Sequence, residues 1–146
     1  MNIKDLVIVT GMPGVQKIVA NRSNGMLVED LDNGKVRFAS IRKHQFSPLE
    51  SISIFLENDD AIEIKEVFRK MLDQLESLPI VSPDTDAAGL RAYFSEILPD
   101  HDRDRVHTGD IRKVIRWFNF LHDRGYTTQQ DPAATETEGS ETEMDA

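Results

Sequence analysis

The chain of 146 residues contains no cysteine. That excludes disulfide scaffolds, thiolate zinc sites, iron–sulfur clusters and cysteine nucleophiles together. No apolar run approaches the roughly 18 residues that a membrane-spanning helix needs. The opening residues, Met1 to Val9, lack the cationic stretch and long apolar core of a secretory signal, so the expected location is cytoplasmic. Basic residues are missing from one end of the chain. Between Thr127 and Ala146 there is no Lys or Arg, but there are six acids: Asp131, Glu136, Glu138, Glu141, Glu143 and Asp145. They carry two-thirds of the net charge of −9 and leave only −3 for the rest of the chain. Such a segment has too little apolar surface to offset the entropy of ordering, so residues 126–146 are expected to form a disordered acidic tail. It reads either as a solubilising appendage or as an acidic mimic of nucleic acid that folds back on a basic face. Elsewhere, 39% hydrophobic and 29% charged residues are ordinary values for a globular domain.

The first third reads as strands. Leu6 to Val9 is a short run rich in β-branched residues. Pro13-Gly14 fits the centre of a type II turn. Val15–Asn21, Met26–Leu31 and Lys35–Ile41 follow as strands, separated by Asn24-Gly25 and Asn33-Gly34. Asn-Gly supplies the two positive-φ residues of a type I′ turn, so an antiparallel meander is expected. Ser47-Pro48-Leu49-Glu50 has the capping box of a one-turn helix, and Ile52–Leu56 alternates as a fifth strand. Five short strands cannot bury a flat face alone, and curling into a barrel removes most of the edges.

The remainder reads as helices. Ile64, Val67, Phe68, Met71, Leu72, Leu75 and Leu78 recur at helical spacing, predicting a helix over residues 58–78. Pro79 to Thr85 is a stiff linker. Asp86 caps a helix carrying Leu90, Tyr93, Phe94, Ile97 and Leu98, which Pro99 stops. Thr108 or Asp110 opens another, with Ile111, Val114, Ile115, Phe118 and Leu121 inside and Gly125 closing it. The expected order is a barrel over 1–57, a bridging helix over 58–78, a linker over 79–85, a small helical domain over 86–125 and the tail. Some forty residues make too small a core to stand alone, so the helical domain should lean on the bridging helix.

Motifs for chemistry are sparse. Gly11 to Lys17 resembles a phosphate loop but lacks the adjacent Gly-Lys-Ser/Thr and leads into a strand. Asp30, Asp32 and Asn33 lack the spacing and terminal Glu of a calcium loop. His101, Asp102, Asp104 and His107 cluster, yet Arg103 and Arg105 stand among them as ion-pair partners, and no oxyanion element accompanies them. The expectation is therefore no catalytic residue, no metal, no cofactor and no small-molecule substrate.

Two basic stretches are candidates for binding. Lys35, Arg37, Arg42, Lys43 and His44 run without an acid, interleaved with Phe38 and Phe46. This is either the solvent face of a strand or a cationic, aromatic strip of the kind that grips single-stranded nucleic acid. The last helix carries Arg112, Lys113, Arg116 and Arg124. Lys113, Trp117, Phe120 and Arg124 line up at i, i+4, i+7 and i+11. Trp117, the single tryptophan, is either core or an exposed anchor for a partner.

Several segments carry a resemblance: Ile3-Lys4-Asp5-Leu6, Thr10 to Gly14, Asn24 to Glu29, Ser51 to Phe55, Leu98 to Val106 and Asp110 to Ile115. Over residues 3 to 125 the chain resembles a bacterial family classed only as a domain of unknown function. The resemblance implies an SH3-like N-terminal barrel joined to a small helical, winged-helix-like unit, and no catalytic residues. The expected protein is α+β: a small SH3-like antiparallel β-barrel, a bridging helix, a small helical unit and a disordered acidic tail. It is expected to be a non-enzymatic adaptor for an unidentified protein, away from membranes. The alternative is a nucleic-acid binder that uses the Lys35–His44 strip and the basic face of the last helix.

Overall fold

Alternating apolar residues and turn chemistry shape the first half. The computed structural model describes residues 3–128. Five strands, β1 (Leu6–Val9), β2 (Gln16–Arg22), β3 (Gly25–Asp30), β4 (Val36–Ser40) and β5 (Phe46–Pro48), form one antiparallel sheet in the order β4-β3-β2-β1-β5. A hairpin of β6 (Ser53–Phe55) and β7 (Ala61–Glu63) follows, then helices α1 (Ile64–Asp73), α2 (Ala87–Ile97) and α3 (Thr108–Asp123). The fold is α+β. No helix among the described residues is long and apolar enough to cross a membrane.

Several expectations are corrected here. The sheet is not a closed barrel: β4 and β5 are its two edges and do not pair. The fifth strand is Phe46–Pro48 on β1, not Ile52–Leu56, whose centre pairs with β7 instead. Ser47 therefore sits opposite Ile8 in the sheet and caps nothing, and the helical turn Leu49–Ser51 starts after it. Pro48 tolerates strand geometry because β5 is an edge. The Asn-Gly corners are hairpins, but not of type I′. Neither Asn24 nor Gly25 has positive φ. Gly25 is required for another reason: a Cβ there would collide with the Ala39 carbonyl oxygen and come within 2.7 Å of the Phe38 ring. At the second corner only Gly34 is left-handed, at φ +72°. Asp30 Oδ1 accepts from the Asp32 and Asn33 amides at 2.8 and 3.2 Å and shapes that loop.

The bridging helix runs over Ile64–Asp73 rather than 58–78, closing at Gln74. Asn58 and Asp59 adopt φ of +65° and +63°, a conformation that ends any helical start. The chain turns there and returns as β7, placing Ile62 opposite Ile54. Asp86 does cap α2, accepting from the Gly89 amide at 2.8 Å. Gly125, at φ +80°, closes α3 in a Schellman arrangement, with Tyr126 N–H donating to Leu121 O at 2.9 Å and Gly125 N–H to His122 O at 3.1 Å. Thr127 is buried against the end of α3 and shares a 2.6 Å hydrogen bond with His122 Nδ1. The rest of the expected acidic tail, from residue 129, lies outside the described residues.

One apolar cluster joins the two halves. Ile3, Leu6, Val15 and Leu49 from the sheet side meet Phe68, Phe94, Phe118 and Leu121 from the helices. Phe68 and Phe118 pack with ring centroids 5.9 Å apart. A smaller cluster of Val7, Val9, Val28 and Ala39 lies within the sheet. Beyond the hairpin, Phe55 O accepts from the Asp102 amide and Asp100 O from the Glu57 amide, both at 2.9 Å. These two bonds fasten β6 to the loop between α2 and α3.

Candidate functional site

Strand β4 and the residue just after it carry three of the five large apolar side chains that stand exposed among the described residues. The strand pairs with β3 through Val36↔Glu29, Arg37↔Val28 and Phe38↔Leu27, and nothing among the described residues pairs with its other side. Val36, Phe38 and Ile41 are 49%, 45% and 59% exposed. Phe38 is held upright over Gly25, the position where no side chain fits. Ser23, Asn24, Ser40, Ile41 and Arg42 wall a hollow at the end of the strand. Lys35, Arg37, Arg42 and Lys43 flank this surface, exposed, with no side-chain partner among the described residues. His44 departs from the strip: its Nδ1–H donates to Thr10 O at 2.6 Å, and the Gln45 amide donates to Thr10 Oγ1 at 2.8 Å. Phe46 packs against the inner cluster.

The basic face of α3 has a different fate. Arg112 is half-buried; its Nε donates to Pro83 O at 2.7 Å and its Nη2 to Thr85 O at 3.5 Å, so it ties down the linker. Arg124 Nε and Nη2 donate to the two Asp32 carboxylate oxygens at 2.6 and 2.9 Å. That hydrogen-bonded pairing holds the Asp32 carboxyl below its ordinary 3.8 and pushes Arg124 upward. The Arg124 guanidinium also lies 3.6 Å from the Phe120 ring centroid. Phe120 itself covers Gly14, whose φ of +66° and missing Cβ let the ring close down on the turn. Lys113 and Arg116 remain exposed. Trp117 is half-buried, packed on the main cluster and lining a cleft with the β6 strand. The line Lys113, Trp117, Phe120, Arg124 is thus divided: its end fastens α3 to the sheet, and its start faces a cleft.

In the ionisable cluster at 101–107, His101 and Asp102 are tied into internal hydrogen bonds, while Asp104 and His107 are exposed. His101 is buried, its Nδ1–H donating to Leu98 O at 2.7 Å while Arg91 Nη1 donates to Nε2 at 3.4 Å. Its ring stands edge-on to Phe94, with centroids 4.9 Å apart. Asp102 accepts from the Asp104 amide at 2.9 Å and from Arg105 Nε at 2.8 Å. Those bonds hold its carboxyl below the ordinary value, the Arg105 side chain first. Asp110 accepts from the His107 amide at 3.0 Å at the head of α3. Among the described residues no three His, Cys, Asp or Glu side chains converge as metal ligands.

Sequence reasoning missed the cleft beside Trp117, because its walls come from two stretches far apart in the chain, residues 52–55 and 105–117. Phe55 gave the only hint, being out of phase with the apolar face of its strand. It is 47% exposed, and the Arg105 guanidinium lies 4.6 Å from its ring centroid. Tyr93 was read as core and is buried, but its hydroxyl finds no hydrogen-bond partner among the described residues. Burial pushes this phenol up to about 12.

Residues 3–49 match a family model described as a domain of unknown function, DUF5606, and residues 52–121 match another so described, DUF6852. No curated protein matches the chain. A Bacteroides vulgatus protein, solved in solution by NMR, is similar: 30% identity over 88% of this chain and 89% of that one, with a TM-score of 0.67.

Proposed function

This chain belongs to the same family as the Bacteroides vulgatus protein, and we propose from that premise that it is a non-enzymatic binding module for another protein. The observation that supports the reading is the open edge at β4, where exposed Val36, Phe38 and Ile41 stand among four cations whose side chains have no partner among the described residues. An extended segment of a partner adds there as a further strand. Its backbone bonds to β4, and its alternate side chains meet Val36 and Phe38. Lys35, Arg37, Arg42 and Lys43 favour a segment rich in Asp and Glu and discourage chance pairing with neutral strands. His101, Asp102 and Asp110 are engaged in core packing, a turn and a helix cap, which favours binding over chemistry. The hairpin β6–β7 beside three helices supports the winged-helix-like kinship as part of the same reading.

Selection from a random peptide-display library tests it, with a Lys35→Glu/Arg37→Glu variant as counter-target. The expected winners alternate β-branched or aromatic residues with acids and fail on the variant. An absence of enrichment, or equal recovery by the variant, overturns the reading. The same cations and the exposed Phe38 ring also favour a second reading, single-stranded nucleic acid stacked on the strip. An oligonucleotide that binds with log K falling steeply against log salt, and is lost in the same variant, would replace the first reading by this one.

A further inference from the structure

We infer that the cleft between the β6–β7 hairpin and α3 is a separate binding site, which takes one large apolar side chain from an acidic peptide segment. It encloses about 170 Å³, with Ile52, Ile54 and Phe55 on one wall and Val106, Val114 and Trp117 on the other. An apolar space of about 150 Å³ accepts a benzene ring, so this one has room for a leucine or phenylalanine side chain. A half-buried tryptophan in an apolar depression is also the kind of group on which binding energy concentrates.

The charge at the mouth names the partner. Lys113 lines the cleft, and Arg116, three positions on along α3, is its neighbour on the helix surface. Both are exposed and without side-chain partners among the described residues. On the opposite lip Arg105 is held by Asp102 at 2.8 Å and Asp59 at 2.9 Å, over the Phe55 ring. Asp110 is the one acid among the lining residues, and one of its carboxylate oxygens already accepts from the His107 amide. Lys113 and Arg116 outnumber that one carboxylate, so the charge left without an ion-pair partner at this mouth is net positive. An apolar anchor seated between Ile54 and Trp117 brings neighbouring carboxylates within reach of Lys113 and Arg116, where charge-assisted hydrogen bonds form. A basic segment would meet two like charges instead. This site does not depend on the β4 reading, since the two surfaces share no residue.

Trp117 is the single tryptophan, so its emission reports from the cleft. The experiment titrates the full chain with the peptide acetyl-Asp-Glu-Phe-Glu-amide, and separately with acetyl-Lys-Lys-Phe-Lys-amide. The expected result is a saturable blue shift with the acidic peptide, at least tenfold weaker binding by Lys113→Glu and no saturation with the lysine peptide. Lys113 is exposed, and a thermal melt verifies that the variant folds. The Lys35→Glu/Arg37→Glu variant keeps the response, which separates this site from the β4 edge. No shift at millimolar acidic peptide, an equal response to the lysine peptide, or unweakened binding by Lys113→Glu overturns the inference.

Discussion

Strand β4 and helix α3 carry the same chemistry and use it differently. Each offers arginines, lysines and aromatic rings within a dozen residues. On α3, Arg112 reaches the Pro83 carbonyl across 29 positions of sequence, and Arg124 grips Asp32 across 92. Phe120 closes over the Gly14 turn. On and around β4, the side chains of Lys35, Arg37, Arg42 and Lys43 have no partner among the described residues, and Phe38 stays exposed. Position explains the difference. A helix packed between a linker and a sheet passes unpaired carbonyls and carboxylates on both flanks, whereas an edge strand has neighbours on one side only. A basic patch in a sequence therefore becomes a candidate interface only after the structure has taken the cations it needs.

Four variants can break or sharpen that contrast. The largest effect is expected from Gly14→Val, which forces a branched side chain into a positive-φ turn and against the Phe120 ring. It should cost about 3 kcal/mol in urea unfolding, and a wild-type midpoint would show that α3 does not rest on the turn. Next comes Arg112→Gln. It takes the charged donor from Pro83 O in a half-buried place and should cost about 1–2 kcal/mol in the same measurement.

The third test concerns pH. The Asp32 carboxyl is held below 3.8 in the folded protein, so the unfolded chain takes up the proton first. The stabilisation from the Arg124 pairing is therefore complete above about pH 3.8 and drains away as pH falls through the lowered folded-state value. Thermal melts of Arg124→Gln should show a shallower acid slope than the wild type, and parallel curves would place the pair outside the stability of the junction. The smallest effect on stability belongs to Lys35→Gln/Arg37→Gln, expected within about 0.5 kcal/mol of wild type. A larger loss in urea would mean that β4 spends its cations on the fold, as α3 does.

Much of the strand order was legible from local pattern, because β1 is a β-branched apolar run and β1 to β4 are separated by Gly-containing corners. What those glycines do was not. Gly25 is needed for the approach of the Ala39 backbone, a contact fourteen residues away that no dipeptide signal encodes. Strand β5 was hidden because Ser47-Pro48 reads locally as a helix start, and only pairing with β1 makes three residues a strand. The front of the bridging helix was over-read for a similar reason. Asp59 and Asp60 look like caps, but left-handed Asn58 and Asp59 send the chain into a hairpin instead. The cations on β4 were visible by composition, while the engagement of Arg112 and Arg124 depends on tertiary neighbours. The cleft at Trp117 belongs to the same class, since its residues are separated by some sixty positions of chain.

Leu6, Val15 and Leu49 stand in the same apolar cluster as Phe68, Phe94 and Phe118. Severing the chain between residues 49 and 52, where the two family matches meet, leaves each fragment with a raw surface shaped for the other. The two pieces, produced apart and then mixed, are expected to reassociate through that shared apolar surface.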